Sequence, residues 1–324
     1  MPRDSADRIT PHFLDRIHDL TEQQQLWLCC FLSQLVNGER TAALIEQARH
    51  PACCPHCQHS GIHRYGISND LQRYRCLECK RTFNALTGTP LARLRHKTRW
   101  LQYCQCLLDP ACTIKSAAEN TGVHRNTSFR WRHRFLDWIK RDRPASLHGI
   151  VEAEEIRLRE SHKGSRRLAR PPRARGGPDK SGGKSKDWVN IVAARDRAGQ
   201  TLDFVAGTGA LKASALSRHL LPRLDRDVLL VSASNTAYRA FSRKAGIAHR
   251  AVLARQRIRA LGHIHVQNVS SYHGRFRQWL LHFRGVATRY LDNYLGWRWA
   301  IDLCRLDSAE QLLRAALGVS NGGR

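Results

Sequence analysis

Two Cys-x-x-Cys pairs, Cys54-Pro-His-Cys57 and Cys76-Leu-Glu-Cys79, are separated by residues 58–75. No other feature constrains the chain as tightly. Two residues between thiols let one tight turn aim both sulfurs at a single ion, and two such turns complete a tetrahedron. The spacing predicts a structural zinc ribbon over 51–85, with Cys54, Cys57, Cys76 and Cys79 as ligands. Four thiolates leave no open coordination position, so this zinc is expected to hold structure rather than to catalyse. The intervening segment alternates as a small hairpin does. Cys53 is one residue out of register. A redox dithiol is the weaker reading, because no thioredoxin-like βαβ pattern surrounds it. The chain has 11 cysteines, and its first residues show no apolar leader. Reduced thiols and a cytoplasmic location are therefore expected.

Ahead of the ribbon, residues 1–50 read as a helical segment. Thr21-Glu22-Gln23-Gln24 forms a capping box that leads into LWLCCFLSQLV. Cys29 and Cys30 within that run read as small core residues. After the ribbon, residues 95–143 carry a helix–turn–helix pattern. Ile114, Ala117 and Ala118 give a short first helix, and Asn120-Thr121-Gly122 gives the turn. Val123 is expected to pack inward, and Asn126 or Thr127 to open the second helix. Arg125, Asn126, Thr127, Arg130, Arg132 and Arg134 then present themselves as a DNA-reading face. An ordinary αα-hairpin with a basic outer face is the bland alternative.

Residues 149–305 change character, and 306–324 read as a closing helix and tail. GIVEAEEI, DWVNIVAARD, TLDFVAG and DVLLVSA read as strands with helices between them. GRFRQWLLHFRGVATRYLDNYLGWRWAIDL reads as one amphipathic helix, its Trp279, Trp297 and Trp299 as packing aromatics. Strand, strand, strand, helix, strand, helix is the order of an RNase H-like α/β fold, a mixed sheet with flanking helices. A basic insert, 157–186, holds eleven Lys or Arg against two acidic residues. Arg166, Arg167, Arg170, Arg173 and Arg175 in it are candidate phosphate contacts. The formal charge of +27 points to a polyanionic partner, double-stranded DNA. No apolar run is long enough to span a membrane.

In chain order, GIVEAEEI, ESHKGSR, ARDRAGQTLDFVAG, LLVSASNTAYRAFSRKAGIAH, HVQNVSSYHGRFRQWL and FRGVATRYLDNYLGW resemble insertion-sequence transposases of the DDE type. The relevant ISXO-type branch has a zinc ribbon and a helix–turn–helix ahead of its RNase H-like domain. The resemblance implies binding to inverted-repeat DNA ends, Mg²⁺-dependent cutting and joining, and a homodimer on paired ends. Carried over by position, the family's first Asp is Glu154 here, its second Asp is Ala233, and its Asn or Glu is Ser270. A Lys-like position is Arg277. All three ligand positions depart, so the expectation is a DNA-binding protein of transposase descent with impaired catalysis. An active Mg²⁺ enzyme using substitutes such as Glu152, Asp196 or Asp203 is one alternative. A zinc-ribbon transcriptional regulator is another. His263, His265 and His273 are expected at the surface or on phosphates.

Overall fold

The computed structural model describes residues 16–17, 19–168, 187–252, 260–261 and 263–319. Helix α1 spans Glu22–Ala48. The Thr21 hydroxyl accepts from the Gln24 amide (3.4 Å), and the Gln24 side chain accepts from the Thr21 amide (2.9 Å). This is the reciprocal capping box that the sequence predicts. Among its described side chains, only Thr41, Leu44 and Ile45 are buried. The apolar run ahead of them is not core, and Cys29 is exposed, contrary to expectation. The Cys30 side chain lies outside the described residues.

Strands β1 (Ile62–Ser68), β2 (Leu71–Cys76) and β3 (Thr82–Phe83) form a small antiparallel sheet in that order. Asn69 and Asp70 both take positive φ (51° and 62°) at the β1–β2 connection. Two such residues give the turn whose twist matches a hairpin.

Helices α2 (Trp100–Leu108), α3 (Ile114–Thr121) and α4 (Arg125–Ile139) follow. The Thr113 hydroxyl caps α3, accepting from the Ser116 amide at 3.1 Å. Gly122 ends it at φ 61°, a left-handed position where a Cβ is strained. The α4 cap differs from the expected Asn126 or Thr127. His124 holds that place, and its Nδ1 accepts from the Asn126 amide at 3.2 Å.

The main sheet contains β4 (Ile150–Arg159), β5 (Trp188–Asp196), β6 (Thr201–Thr208), β7 (Leu229–Ala233) and β8 (Ala248–Val252). Its order is β6-β5-β4-β7-β8, with β4 antiparallel to β5 and parallel to β7. Antiparallel hairpins on one side and parallel crossovers on the other give the RNase H-like topology. Interior strand β5 is buried on both faces; Val189, Ile191 and Val192 are each fully buried. Each such side chain contributes about 1.5–3 kcal/mol.

The crossover helices are α5 (Ala213–His219) and α6 (Thr236–Ala245). They pack with Val151, Ala153 and Val192 on one sheet face. The opposite face receives α7 (Gln267–Leu281), whose Val269 and Tyr272 pack on Ala193. A short hairpin, β9 (Ala260–Leu261) and β10 (Ile264–His265), precedes α7. Helices α8 (Leu291–Asp302) and α9 (Ala309–Ala316) close the described chain.

Three expectations change. The basic insert begins later than residue 157, because β4 carries Arg157 and Arg159 as strand. Strand β8 and the β9–β10 hairpin have no counterpart in the sequence reading. The single long closing helix is two, α7 and α8. Arg284 (φ 48°) and Gly285 (φ 94°) break it.

One hydrophobic core runs through Trp100, Trp131 and Phe135 of the helical region, Ile191 of the sheet, and Trp297 and Trp299 of α8. The helix–turn–helix region is thereby fixed to one face of the sheet. Among the described residues, no helix is long and apolar enough to cross a membrane.

Candidate active site and nucleic-acid interface

Alternation along β4 sends Glu152 and Glu154 to the α7 face and Glu155 to the other. The register agrees: Glu154 opposes Ala193, which packs on α7, and Glu155 opposes Val192, which packs beneath α5 and α6. On the parallel side Ala153 pairs with Ser232, which sets Ala233 beside Glu154 on the same face. The Ser270 hydroxyl donates to Glu154 Oε2 at 2.6 Å. The structure therefore brings Glu154, Ala233 and Ser270 together, although 116 residues separate Glu154 from Ser270.

Burial pushes the Glu154 carboxyl up, but His273, the Ser270 hydroxyl and the Arg277 charge outweigh it and hold it below its ordinary value. His273 is not a surface group. It is 3% exposed, and its Nδ1 lies 3.7 Å from Glu154 Oε2. Three residues beyond Ser270 on one helix places it on the same face, a spacing visible in the sequence.

Glu152 has a different task. It is fully buried, and its carboxylate accepts from the backbone amides of Asn268 (2.8 Å) and Val269 (3.1 Å) and from Asn268 Nδ2 (2.8 Å). The Arg197 guanidinium also bonds it, and His265 Nδ1 lies 3.2 Å away. No side chain of α7's own N-cap residue, Val266, closes that helix end. Glu152 supplies the missing cap from the sheet, where the helix dipole favours negative charge.

The other proposed substitutes are also engaged. Asp196 accepts from the Gln200 amide at 2.9 Å, within the β5–β6 turn. Asp203 pairs with Arg143 at 2.7 Å and accepts from the Tyr272 hydroxyl at 2.5 Å. A divalent metal pair needs several oxygen ligands on one face. Here that face offers the Glu154 carboxylate and the Ser270 hydroxyl already bonded to it, while Ala233 carries no side-chain oxygen. These residues do not fit a carboxylate-held Mg²⁺ pair.

The ribbon thiols do fit a metal ion. The Sγ atoms of Cys54, Cys57, Cys76 and Cys79 all lie within 4.8 Å of one another. Cys54–Cys79 and Cys57–Cys76 are each 3.6 Å apart. A tetrahedral ion with metal–sulfur bonds of about 2.3 Å sets its sulfurs about 3.8 Å apart. Burial resists the Cys54 thiolate, but the amides of His56 and Cys57, together with the thiols of Cys79 and Cys57, outweigh it and lower its pKa to about 7. Cys53 stands outside the cluster, with its thiol on Gln58 Oε1 at 3.5 Å.

Along α4, Arg125, Asn126 and Arg130 are exposed and Thr127 is half-buried. Arg134 is exposed, but its guanidinium is held by the carbonyls of Pro90 and Ala92. Arg132 does not belong with them. It is fully buried, donates to the Cys112 carbonyl at 2.8 Å, and stacks 5.0 Å from the Trp297 ring centroid. Its Nε and Nη1 have no hydrogen-bond partner. The signal missed was the helical period: Arg132 lies one position past Trp131 and three before Phe135, on the packed side. Arg132→Ala should cost about 3 kcal/mol or more, through a cavity beside Trp297. Arg132→Met, which keeps the volume and removes the orphaned donors, should be neutral or stabilising. Urea unfolding of the two variants checks both signs.

Arg277 is exposed on α7 and lines a groove with Arg157, Arg159, Arg284 and Trp188. Arg166 and Arg167 are exposed. Arg170, Arg173 and Arg175 lie outside the described residues.

Residues 146–299 match the family model of the ISXO2-like transposase domain. An uncharacterized protein in transposable element ISH50 of Halobacterium salinarum is 28% identical over 276 residues, covering 82% of this chain and 90% of that protein. A crystal structure of a pre-cleavage Mos1 transpososome covers 68% of this chain and 79% of its own at 16% identity. Its TM-score is 0.22, too low to bear on the fold.

Proposed function

This chain belongs with the insertion-sequence transposases of the DDE type through its ISXO2-like domain, and from that premise we propose a DNA-binding protein that grips element ends without cutting them. The observation that carries the reading is Ala233. It stands beside Glu154 on the face where the family's second carboxylate is expected. The helix–turn–helix supplies recognition: α4 offers Arg125, Asn126, Thr127 and Arg130 to a major groove. Arg157, Arg159, Arg277 and Arg284 line a second basic groove between the end of β4 and α7, suited to a phosphate backbone. A zinc ion bound by the four ribbon thiolates holds that module, and the excess positive charge makes binding strongly salt-dependent.

The test has two arms. The full chain should bind duplex DNA carrying the element's inverted repeat and leave it uncut in Mg²⁺ or Mn²⁺. Arg277→Gln and Arg284→Gln, in the phosphate-facing groove, should each lower the slope of log affinity against log salt by about 1, whereas Arg125→Gln and Arg130→Gln should each cost about 1–3 kcal/mol and relax sequence preference. Arg132→Met should leave that slope unchanged, because its guanidinium is enclosed. A wild-type slope near zero would refute the DNA role.

A second reading, residual catalysis, has one observation in its favour. Glu154 keeps a carboxylate with a lowered pKa, ionised at neutral pH. Nicking by the wild type that Glu154→Gln abolishes would establish it.

A further inference from the structure

From Glu22 to Val36, no residue of α1 with a described side chain is buried. Leu26 (65% exposed), Trp27 (67%), Phe31 (45%), Leu32 (49%), Leu35 (48%) and Val36 (63%) all face outward on this stretch. The helix begins to meet the body at Ser33 and Gln34, which line a cavity with Leu101 and Gln102, and packs closely only further on. At Gly38 an added Cβ would lie 2.8 Å from Thr98 Cγ2. A short helix that holds six large apolar side chains in water is unstable by itself, because propensity alone does not hold so few turns. Such a segment is stable when covered.

Charge selects the cover. Residues 23–38 contain no charged side chain, the longest uncharged run in a chain of formal charge +27. DNA has nothing to neutralise there. Two copies of so basic a chain repel over most of their surfaces, and this stretch is where they can meet without opposed charge. The area is adequate. The five that share one half of the helix, Trp27, Phe31, Leu32, Leu35 and Val36, offer roughly 500 Å² per copy, about 1,000 Å² for the pair, the lower bound of a specific interface.

We propose that residues 22–36 of α1 pack against the same segment of a second copy, forming a two-fold helix pair. Trp27 and Phe31, whose rings already stack at 5.4 Å, form its centre. The contact needs no DNA, so an experiment without DNA separates it from the function proposed above.

The test is sedimentation velocity of nuclease-treated full chain at high salt over a wide concentration range. The wild type should sediment as two chains. W27Q/F31Q/V36Q should sediment as one, with the thermal unfolding of the sheet domain unchanged. A wild type that stays a single chain, or a variant that stays paired, overturns the proposal. Cys29, exposed on the same stretch, gives a second readout. A short bis-maleimide should join two copies, and Cys29→Ser should abolish the joining. Cross-linking that persists in Cys29→Ser puts the contact elsewhere and overturns the proposal too.

Discussion

E154D/A233D/S270N is expected to nick an inverted-repeat duplex in Mg²⁺ where the wild type leaves it intact. Asp at 233 would stand next to residue 154 across the β4–β7 pairing. Shortening Glu154 by one methylene draws its oxygens back toward the sheet. Asn at 270 replaces the hydroxyl that now occupies Glu154 Oε2 at 2.6 Å. Together these restore oxygen donors on one face, as a hard cation requires. Misplacing a reacting group by about 1 Å can cost about 100-fold, so the triple variant should exceed the wild type by at least about that factor. A strand-cleavage time course on end-labelled DNA measures it. Ala233→Asp alone should recover less, since Glu154 would still be turned toward Ser270 and His273. If the triple variant stays inert while still binding DNA, loss of the carboxylates is not what separates this chain from active relatives.

Cys76→Ser, or a strong chelator, should remove one zinc per chain and open the ribbon while the main sheet stays folded. The ribbon has almost no core of its own. Its own cluster is Cys54, Tyr74, Cys76 and Phe83, Leu71 of β2 packs into the main core instead, and β1 exposes five of its seven residues. So small a core does not hold a hairpin without a staple, and metal binding there is folding energy. Metal analysis gives the stoichiometry. Hydrogen exchange over 54–83 should rise to the unprotected limit, while β4 and β5 amides keep their protection. Native protein that contains no metal and still protects the β1–β2 amides would rule out the ribbon reading.

Local chemistry was legible in the sequence. The four thiols converge as their spacing requires. The Thr21 and Gly122 boundaries fall where capping and left-handed conformations demand. The strand order carried four of the five strands of the main sheet, through their apolar patterning, and missed only the edge strand β8. What was not legible depended on partners far away in the chain. Arg132 reads as a surface arginine until Trp297 and Phe283 pack over it. Glu152 reads as a spare ligand until the α7 amides claim it. His273 reads as a surface group until the α7–sheet contact buries it. In α1 the error ran the other way. LWLCCFLSQLV reads as core, yet nothing in its own described chain covers it.

By itself, then, the sequence determined the residue types and the short-range geometry: a four-thiol cluster, a capped helix–turn–helix, and a strand that ends in alanine where a carboxylate is expected. Only the tertiary structure decided which side chains share a face, which charges are spent on holding helices, and which apolar surface is left open. The physical reason is range. Turns and caps are fixed within a few residues, whereas Glu154 meets Ser270 only because a sheet and a helix pack across 116 residues of chain.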